Sequence, residues 1–250
     1  MTTDDSKLTV RAVERALDVL LCFTHDSDLS LTELSARVGL HKSTVHRLLA
    51  SLEGKGFVRR DPASERYRLG YRMWELSANL SQDDEPGAIV LPEMERLRDR
   101  LGETISLYVR DDLERIRVQA VQSNQAIRRV APIGLRLPLH LGASGKVLVA
   151  FGEPELAQHL FAQEVWADEE QREAFEQQLK EAKQNGFATS LEEREAGAAA
   201  IAVPIFNRAH RLVAALAVSG PVSRLTPDKM LEDVPEILDA AGRMGSMLKP

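Results

Sequence analysis

The chain has 250 residues, 44% of them hydrophobic and 28% charged, with a formal net charge of -6. Its longest apolar run, "AGAAAIAVPIF", is far short of the roughly 20 residues a membrane helix needs, and its polar, acidic start "MTTDDSKLT" has neither the basic opening nor the apolar core of a signal peptide. The one cysteine, Cys22, cannot form an internal disulfide, which fits a reducing cytoplasm.

"LTVRAVERALDVLLCF" sets Val10, Val13, Leu17, Leu20 and Leu21 at helical spacing, with Arg11, Glu14 and Asp18 polar, so a helix with that stripe turned to a core is expected. In "SLTELSARVG", Ser30 and Glu33 form an S-x-x-E capping box, Leu31, Leu34 and Val38 make the apolar stripe, and Gly39 ends the helix. In "HKSTVHRLLASLEGKG", Val45, Leu48, Leu49 and Leu52 sit at i, i+3, i+4 and i+7 and commit one face to a core. That leaves His41, Lys42, Ser43, Thr44, His46 and Arg47 on the exposed N-terminal face. Two short helices joined by a tight glycine turn are the helix-turn-helix arrangement, whose second helix enters the major groove of DNA N-terminus first. Ser and Thr contact phosphates or bases there, Arg takes guanine O6/N7, and the helix N-terminus itself favours phosphate.

"FVRRD" and "RYRLG" flank the turn "PASE" and predict a hairpin, a wing beside the second helix. Val58, Tyr67 and Leu69 face inward in this reading; Arg59, Arg66 and Arg68 face the other way, with Arg60 close to the turn. Residues 41–72 hold eight Lys/Arg against three acids, a net of +5, whereas residues 81–250 hold 20 against 27, a net of -7. Screening confines exposed charges to about 8–10 Å, so the local sum governs and the basic stretch can meet phosphate in an acidic protein.

A helix from about Tyr71 carries Met73, Trp74 and Leu76, an apolar face suited to a dimer contact; a second, Ile89 to Leu101, carries Val90, Met94 and Leu97. From residue 104 the period becomes two: "TISLYVRDD" alternates Ile105, Leu107 and Val109, and "RIRVQAV" sets Ile116, Val118 and Ala120 against Arg115, Arg117 and Gln119. "AIAVPIF" and "LVAALAVSGP" are more uniformly apolar, as buried central strands are. Helices are expected over 143–151, 153–160, 168–185 and 227 to about 248. The class is α+β or mixed α/β, with boundaries at 1–70, a linker helix over 71–86, and 87–250.

"LGASGKV" is neither a P-loop, which needs glycine at 140 and Ser or Thr at 147, nor a nucleophile elbow, where Lys146 stands in a glycine position. No metal-ligand spacing occurs, and no catalytic residue or cofactor is assigned. What remains is a loop running into a helix N-terminus, Gly142 to Gly145, which suits a carboxylate or serves only to pack helix on sheet.

"LSLTELSARVGLHKSTVHRLLASLEGKGFVRRD" resembles the winged helix-turn-helix of the IclR family of bacterial transcriptional regulators, and "RVAPIGLRLPLHLGASGKVLVAF", "NGFATSLEEREAGAAAIAVPIFN" and "AALAVSGPVSRLT" are similar to its effector-domain signatures. The resemblance covers nearly the whole chain from about residue 8. It implies an α+β protein, a winged helix-turn-helix followed by a GAF-like mixed α/β effector-binding domain. The implied partners are double-stranded DNA, a small organic acid and further copies of the chain, as a homodimer or a dimer of dimers, with no membrane. DNA contacts are expected from Thr32, His41, Lys42, Ser43, Thr44, His46, Arg47, Arg59, Arg60, Arg66 and Arg68.

In family members that sense small carboxylates, the pocket N–H groups match Ala143 and Ser144, and an Asp, a Cys and two Ser match Ser190, Ala200, Ala217 and Ser219. Only the last keeps its type. The less polar wall favours a larger, partly apolar acid, aromatic ones included, with Leu107, Val118, Val130 and Leu139 as apolar walls and Arg128 or Arg129 as a carboxylate partner. Two alternatives stay open: a hydrolase-like domain fused to a DNA-binding head, and a head that recruits a protein partner.

Overall fold

The computed structural model describes residues 9–24, 26–83, 86–128 and 132–248. The chain divides into two compact units, Met1–Asp84 and Glu85–Pro250. Among the described residues no helix is long and apolar enough to cross a membrane.

The first unit contains α1 (Arg11–Leu21), a 3-10 turn (Cys22–Thr24), α2 (Leu31–Val38), α3 (Lys42–Gly54), the hairpin β1 (Val58–Arg60) and β2 (Tyr67–Leu69), and α4 (Arg72–Asp83). The capping box forms as the sequence predicts: the Ser30 hydroxyl accepts from the Glu33 N–H, and the Glu33 carboxylate accepts from the Ser30 N–H at 2.7 Å. Gly39 then stops α2 in the left-handed region at φ 63°, where a side chain is disfavoured. Val19, Phe23, Leu29, Leu34, Val45, Leu49, Val58 and Tyr67 form the core. β1 and β2 pair antiparallel, and Leu29 adds an isolated bridge to Tyr67.

The α1 expectation needs correction. Val10, Val13, Leu17 and Leu21 are exposed, and the helix reaches the core through Val19. Leu69 is likewise exposed, in contrast to Val58 and Tyr67. The helical period located a stripe correctly but does not say what covers it.

The second unit is a six-stranded antiparallel sheet, order β5-β4-β3-β8-β7-β6, built from β3 (Thr104–Asp111), β4 (Glu114–Val121), β5 (Arg136–Pro138), β6 (Ala188–Leu191), β7 (Ala198–Phe206) and β8 (Leu212–Pro221). Helices α5 (Pro86–Leu101) and α9 (Pro227–Met247) cover one face; α6 (Ala143–Ala150), α7 (Pro154–Phe161) and α8 (Glu169–Asn185) lie on the other. Burial on both faces explains why β7 and β8 are apolar throughout. The edge strands β5 and β6 are short, and β5 ends in a proline, so neither carries a legible alternation.

The two faces differ in side-chain size. Toward α5 and α9 point Ile105, Leu107, Ile201, Val203, Ile205, Leu216 and Val218. Toward α6 point Ala200, Ala202, Ala215 and Ala217. This division corrects two expected pocket walls: Leu107 and Val118 pack in the α5–α9 core, on the far side of the sheet from α6. Side chains alternate across a strand, so the partner face carries Ser106 and Tyr108 instead.

Two outcomes test this packing. A Cβ on Gly245 of α9 would collide with the Phe206 carbonyl oxygen. Gly245→Ala should therefore lower stability by about 1–3 kcal/mol, read from urea denaturation midpoints. The N–H and hydroxyl of Ser30, then Arg66, hold the Glu33 carboxyl well below its ordinary 4.5, at about 2. A depressed carboxyl contributes stability above its unfolded value and loses it as pH falls through the folded one. The difference in melting temperature between wild type and Glu33→Gln should close as pH falls from about 4.5 to about 2.

Candidate DNA-reading and effector sites

The N-terminal turn of α3 follows from His41, whose Nδ1 accepts from the Ser43 N–H at 3.3 Å and lies 2.8 Å from the Ser43 hydroxyl. This cap needs an unprotonated Nδ1. Lys42, Ser43, His46 and Arg47 are exposed beyond it, Thr44 is half-buried, and Thr32 is exposed in the first turn of α2.

The wing arginines divide into two groups. Arg59 pairs in register with Arg68, is exposed, and stands over the Tyr71 ring at 5.4 Å. Arg60 lies over the Tyr67 ring and pairs with Glu65 at 2.8 Å. Arg66, by contrast, bridges Asp28 at 2.7 Å and Glu33 at 3.0 Å, and Arg68 reaches Asp28 at 3.3 Å. These two fasten the hairpin to the segment that starts α2, so with Arg60 on Glu65 three of the four wing arginines already hold a carboxylate.

The unit also exposes Trp74 (76%) and Leu76 on α4 and Tyr71 (72%) just before it, besides the α1 stripe.

In the second unit, a cavity of about 40 Å³ lies at the N-terminus of α6. Of the expected effector residues, Ala143, Ser144, Ser190, Ala200, Ala217 and Ser219 line it. Leu139 is buried in the same core without lining it. Val130 and Arg129 lie outside the described residues, and Arg128 is exposed. The lining adds Tyr108, Arg115, Arg194 and Glu195, none of them expected.

Arg115 and Arg117 are each 1% exposed, although their alternation with Ile116 and Val118 reads as a solvated face. Both guanidiniums lie over the Tyr108 ring, at 5.6 and 5.7 Å. Arg117 donates to the Ser106 hydroxyl at 3.1 Å, and Arg115 donates to the Pro138 carbonyl. The signal that could have found them is the helix count. Helices follow the sheet in numbers sufficient to cover both faces, so an arginine face on a central strand had to be buried.

The glycine loop is explained by the same contact. Gly142 takes φ 82°, and a Cβ there would stand 3.1 Å from the Arg115 guanidinium; one on Gly145 would stand 2.8 Å from it and strike the Leu139 carbonyl. The first N–H of the loop is taken: Gly142 donates to the Glu193 carboxylate at 2.9 Å. Glu193 also pairs with the buried Lys146 at 2.5 Å, and Lys146 donates to the Thr189 carbonyl at 3.0 Å. Burial, with the Arg115 charge, pushes His140 below its ordinary pKa. Among the described residues no group of His, Cys, Asp and Glu could hold a metal ion.

Comparison with known proteins follows this division. The IclR helix-turn-helix domain matches residues 12–62, and the C-terminal domain of the bacterial transcriptional regulator IclR matches residues 87–246. The chain is 33% identical over 239 residues to the HTH-type transcriptional regulator XynR of Escherichia coli, covering 93% of this chain and 94% of that one. It is 30% identical over 240 residues to the transcriptional repressor IclR of the same organism, covering 93% and 88%. Among solved structures, an IclR homologue from Microbacterium hydrocarbonoxydans in complex with 4-hydroxybenzoate superposes with a TM-score of 0.83 at 26% identity, covering 95% and 98%. These relatives are regulators rather than enzymes, and the chain belongs to the IclR family of bacterial helix-turn-helix transcriptional regulators.

Proposed function

We propose that the protein works in the cytoplasm as a homodimer, itself pairing into a dimer of dimers, that reads a near-palindromic operator and releases or tightens its hold when a small organic acid occupies the cavity under α6. The observation that carries the reading is that cavity, closed on the alanine face of the sheet and bordered by a helix N-terminus, Arg115 and Arg194. Effector recognition is assigned to Ala143, Ser144, Ser190, Ala200, Ala217 and Ser219 around it. Leu139 supports the wall from behind.

Base reading falls to α3, with His41, Lys42, Ser43, Thr44, His46 and Arg47 toward the groove. Thr32, Arg59 and Arg60 contact phosphate. Arg66 and Arg68 act mainly by holding the wing in place, since both are tied to Asp28 outside the hairpin, whereas the Arg60 partner Glu65 lies within it. A single head touches few base pairs, so two heads on half-sites about 34 Å apart are needed. The exposed stripes of α1 and α4 supply the surface that joins them.

The 4-hydroxybenzoate held by the Microbacterium relative makes hydroxybenzoates the first acids to try. An engineered apolar cavity that takes benzene is about 150 Å³. An aromatic acid therefore requires the exposed Arg194–Glu195 segment to move aside, whereas a two- or three-carbon acid requires less.

Arg47→Ala should weaken operator binding by about 1–3 kcal/mol in a gel-shift titration and relax specificity at one position. Unchanged operator affinity would remove Arg47 from the reading surface. Arg59→Ala should weaken all sequences alike and reduce the salt slope by about one unit. Trp74→Glu should sediment as a smaller species than wild type and bind the operator more weakly; a variant that sediments as wild type does removes α4 from the interface. Effector binding is tested by melting the full chain against a panel of organic acids, since a ligand of the folded state raises apparent stability.

A further inference from the structure

The cavity under α6 has about 40 Å³, well below the roughly 150 Å³ of an engineered cavity that takes benzene. A ligand of more than a few atoms enters only if a wall moves. Most of the lining is fixed in the core. Tyr108, Arg115 and Ser219 are buried in the sheet, and Ala143 and Ser144 belong to α6, all eight of whose residues are buried. The exposed part of the lining is Arg194 and Glu195, at the tip of the connection between β6 and β7.

That connection has a closed base and a tethered tip. At the base the Glu192 N–H donates to the Ala198 carbonyl at 2.8 Å, and the Gly197 N–H donates to the Glu192 carboxylate at 2.5 Å. Glu192 at φ 56° and Gly197 at φ 76° turn the chain on either side of the tip. The tether is Glu193. One of its carboxylate oxygens accepts from the Gly142 N–H at 2.9 Å and the other accepts from Lys146 at 2.5 Å, so both are engaged on α6 and the loop before it. The Lys146 side chain is 4% exposed and also donates to the Thr189 carbonyl at 3.0 Å. Removing Glu193 from it would leave a buried ammonium without its counter-charge, so the closed position is favoured. The Glu193 side chain is 26% exposed and has water beside it when it lets go. The pair therefore joins a helix that is buried throughout to the exposed wall of the cavity, where a contact can open and close again.

We propose that residues 193–196 form a strap over the cavity and that the Glu193–Lys146 pair is its latch. A small molecule enters and leaves when the pair opens, and Glu193 returns to close the site over it. This rests on the reading of the cavity as an effector site and adds how that site is gated. Lys146 and Glu193 are positioning residues here, acting on the strap rather than by touching the ligand. A ligand beneath the closed strap fills the space and holds it shut.

Trypsin cleavage after Arg194 in the full chain reads the opening with no ligand present. A protease needs the segment lifted clear of α6, and it cuts in proportion to the open population when closing is fast. Lys146→Met should raise this cleavage at least about 10-fold, the weight of a hydrogen bond to a charged group, with cleavage after Lys180 in α8 unchanged. Glu193→Gln should do the same once corrected by the rate on a free peptide of residues 188–200 carrying that change. The double variant should open no further than the more open single one, because both remove one contact. Any of pyruvate, benzoate and 4-hydroxybenzoate that raises the wild-type melting temperature should also slow cleavage after Arg194. Cleavage of folded Lys146→Met at the wild-type rate overturns the proposal, and so does an equal rise after Lys180, which reports general loosening. An acid that raises the melting temperature and leaves the cleavage after Arg194 unchanged overturns it too. Should Lys146→Met fail to fold, Glu193→Gln decides. If no acid raises the melting temperature, it is the acid-sensing reading that falls, and the ligand-free comparison still decides the strap.

Discussion

Two guanidinium groups buried on the α6 face of the sheet impose the constraint that organises the second unit. Taking an ion out of water costs several kcal/mol even after relaxation, so Arg115 and Arg117 are tolerated only where hydrogen bonds and polarisable neighbours stand ready. The Tyr108 ring lies beside both, the Ser106 hydroxyl and Pro138 carbonyl accept from them, and the alanines of β7 and β8 leave the volume. The other face needs no such provision and fills with Ile, Leu and Val at ordinary density. One sheet thus carries a dry core on one side and a polar, partly hollow layer on the other. The hollow exists because small residues there face long charged ones.

The position of α6 follows. Its loop must pass over Arg115, so Gly142 and Gly145 are small for steric reasons before any question of phosphate or catalysis arises. A cation beneath a helix N-terminus is electrostatically unfavourable. Glu193 relieves part of that by accepting from Gly142 and pairing with Lys146 across the loop. The Glu192–Gly197 segment, with Glu192 at φ 56° and Gly197 at φ 76°, brings Arg194 and Glu195 to the rim of the cavity.

The sequence exposed some of this and hid the rest for definable reasons. The capping box at Ser30 acts over three residues, so the start of α2 is legible, and the side chains of Asp168 and Thr226 cap α8 and α9 over the same short range. The recognition helix is legible because four apolar side chains at helical spacing leave only one face for Lys42, Ser43, His46 and Arg47. The cavity-lining serines and alanines could be placed only through family resemblance, since no local pattern distinguishes a pocket alanine from a packing alanine. Arg115 was hidden because strand alternation gives two faces but not their environments; which face is buried depends on helices far along the chain. Leu107 and Val118 were misplaced for the same reason, one step of alternation being enough to move a side chain through the sheet. The α1 stripe failed differently. Its period was correct, and the covering surface is not part of the same unit's core.

That last failure bears on how the head works. Its core is eight buried residues, and a unit this small removes proportionally little of its surface from water. Leaving Val13, Leu17 and Leu21 on α1, Val10 at its cap, Trp74 on α4 and Tyr71 before it in water forgoes about 25 cal/mol for each Å² of apolar area that a partner could cover. Within the proposed dimer, the contact that covers those stripes also sets the spacing of two α3 helices, so stability of the head and register on the operator become one quantity. An effector that altered the relation of two protomers would then change DNA affinity without touching a base-reading side chain. Linkage requires the converse as well: operator DNA must change affinity for the acid by the same factor, typically about 5- to 150-fold.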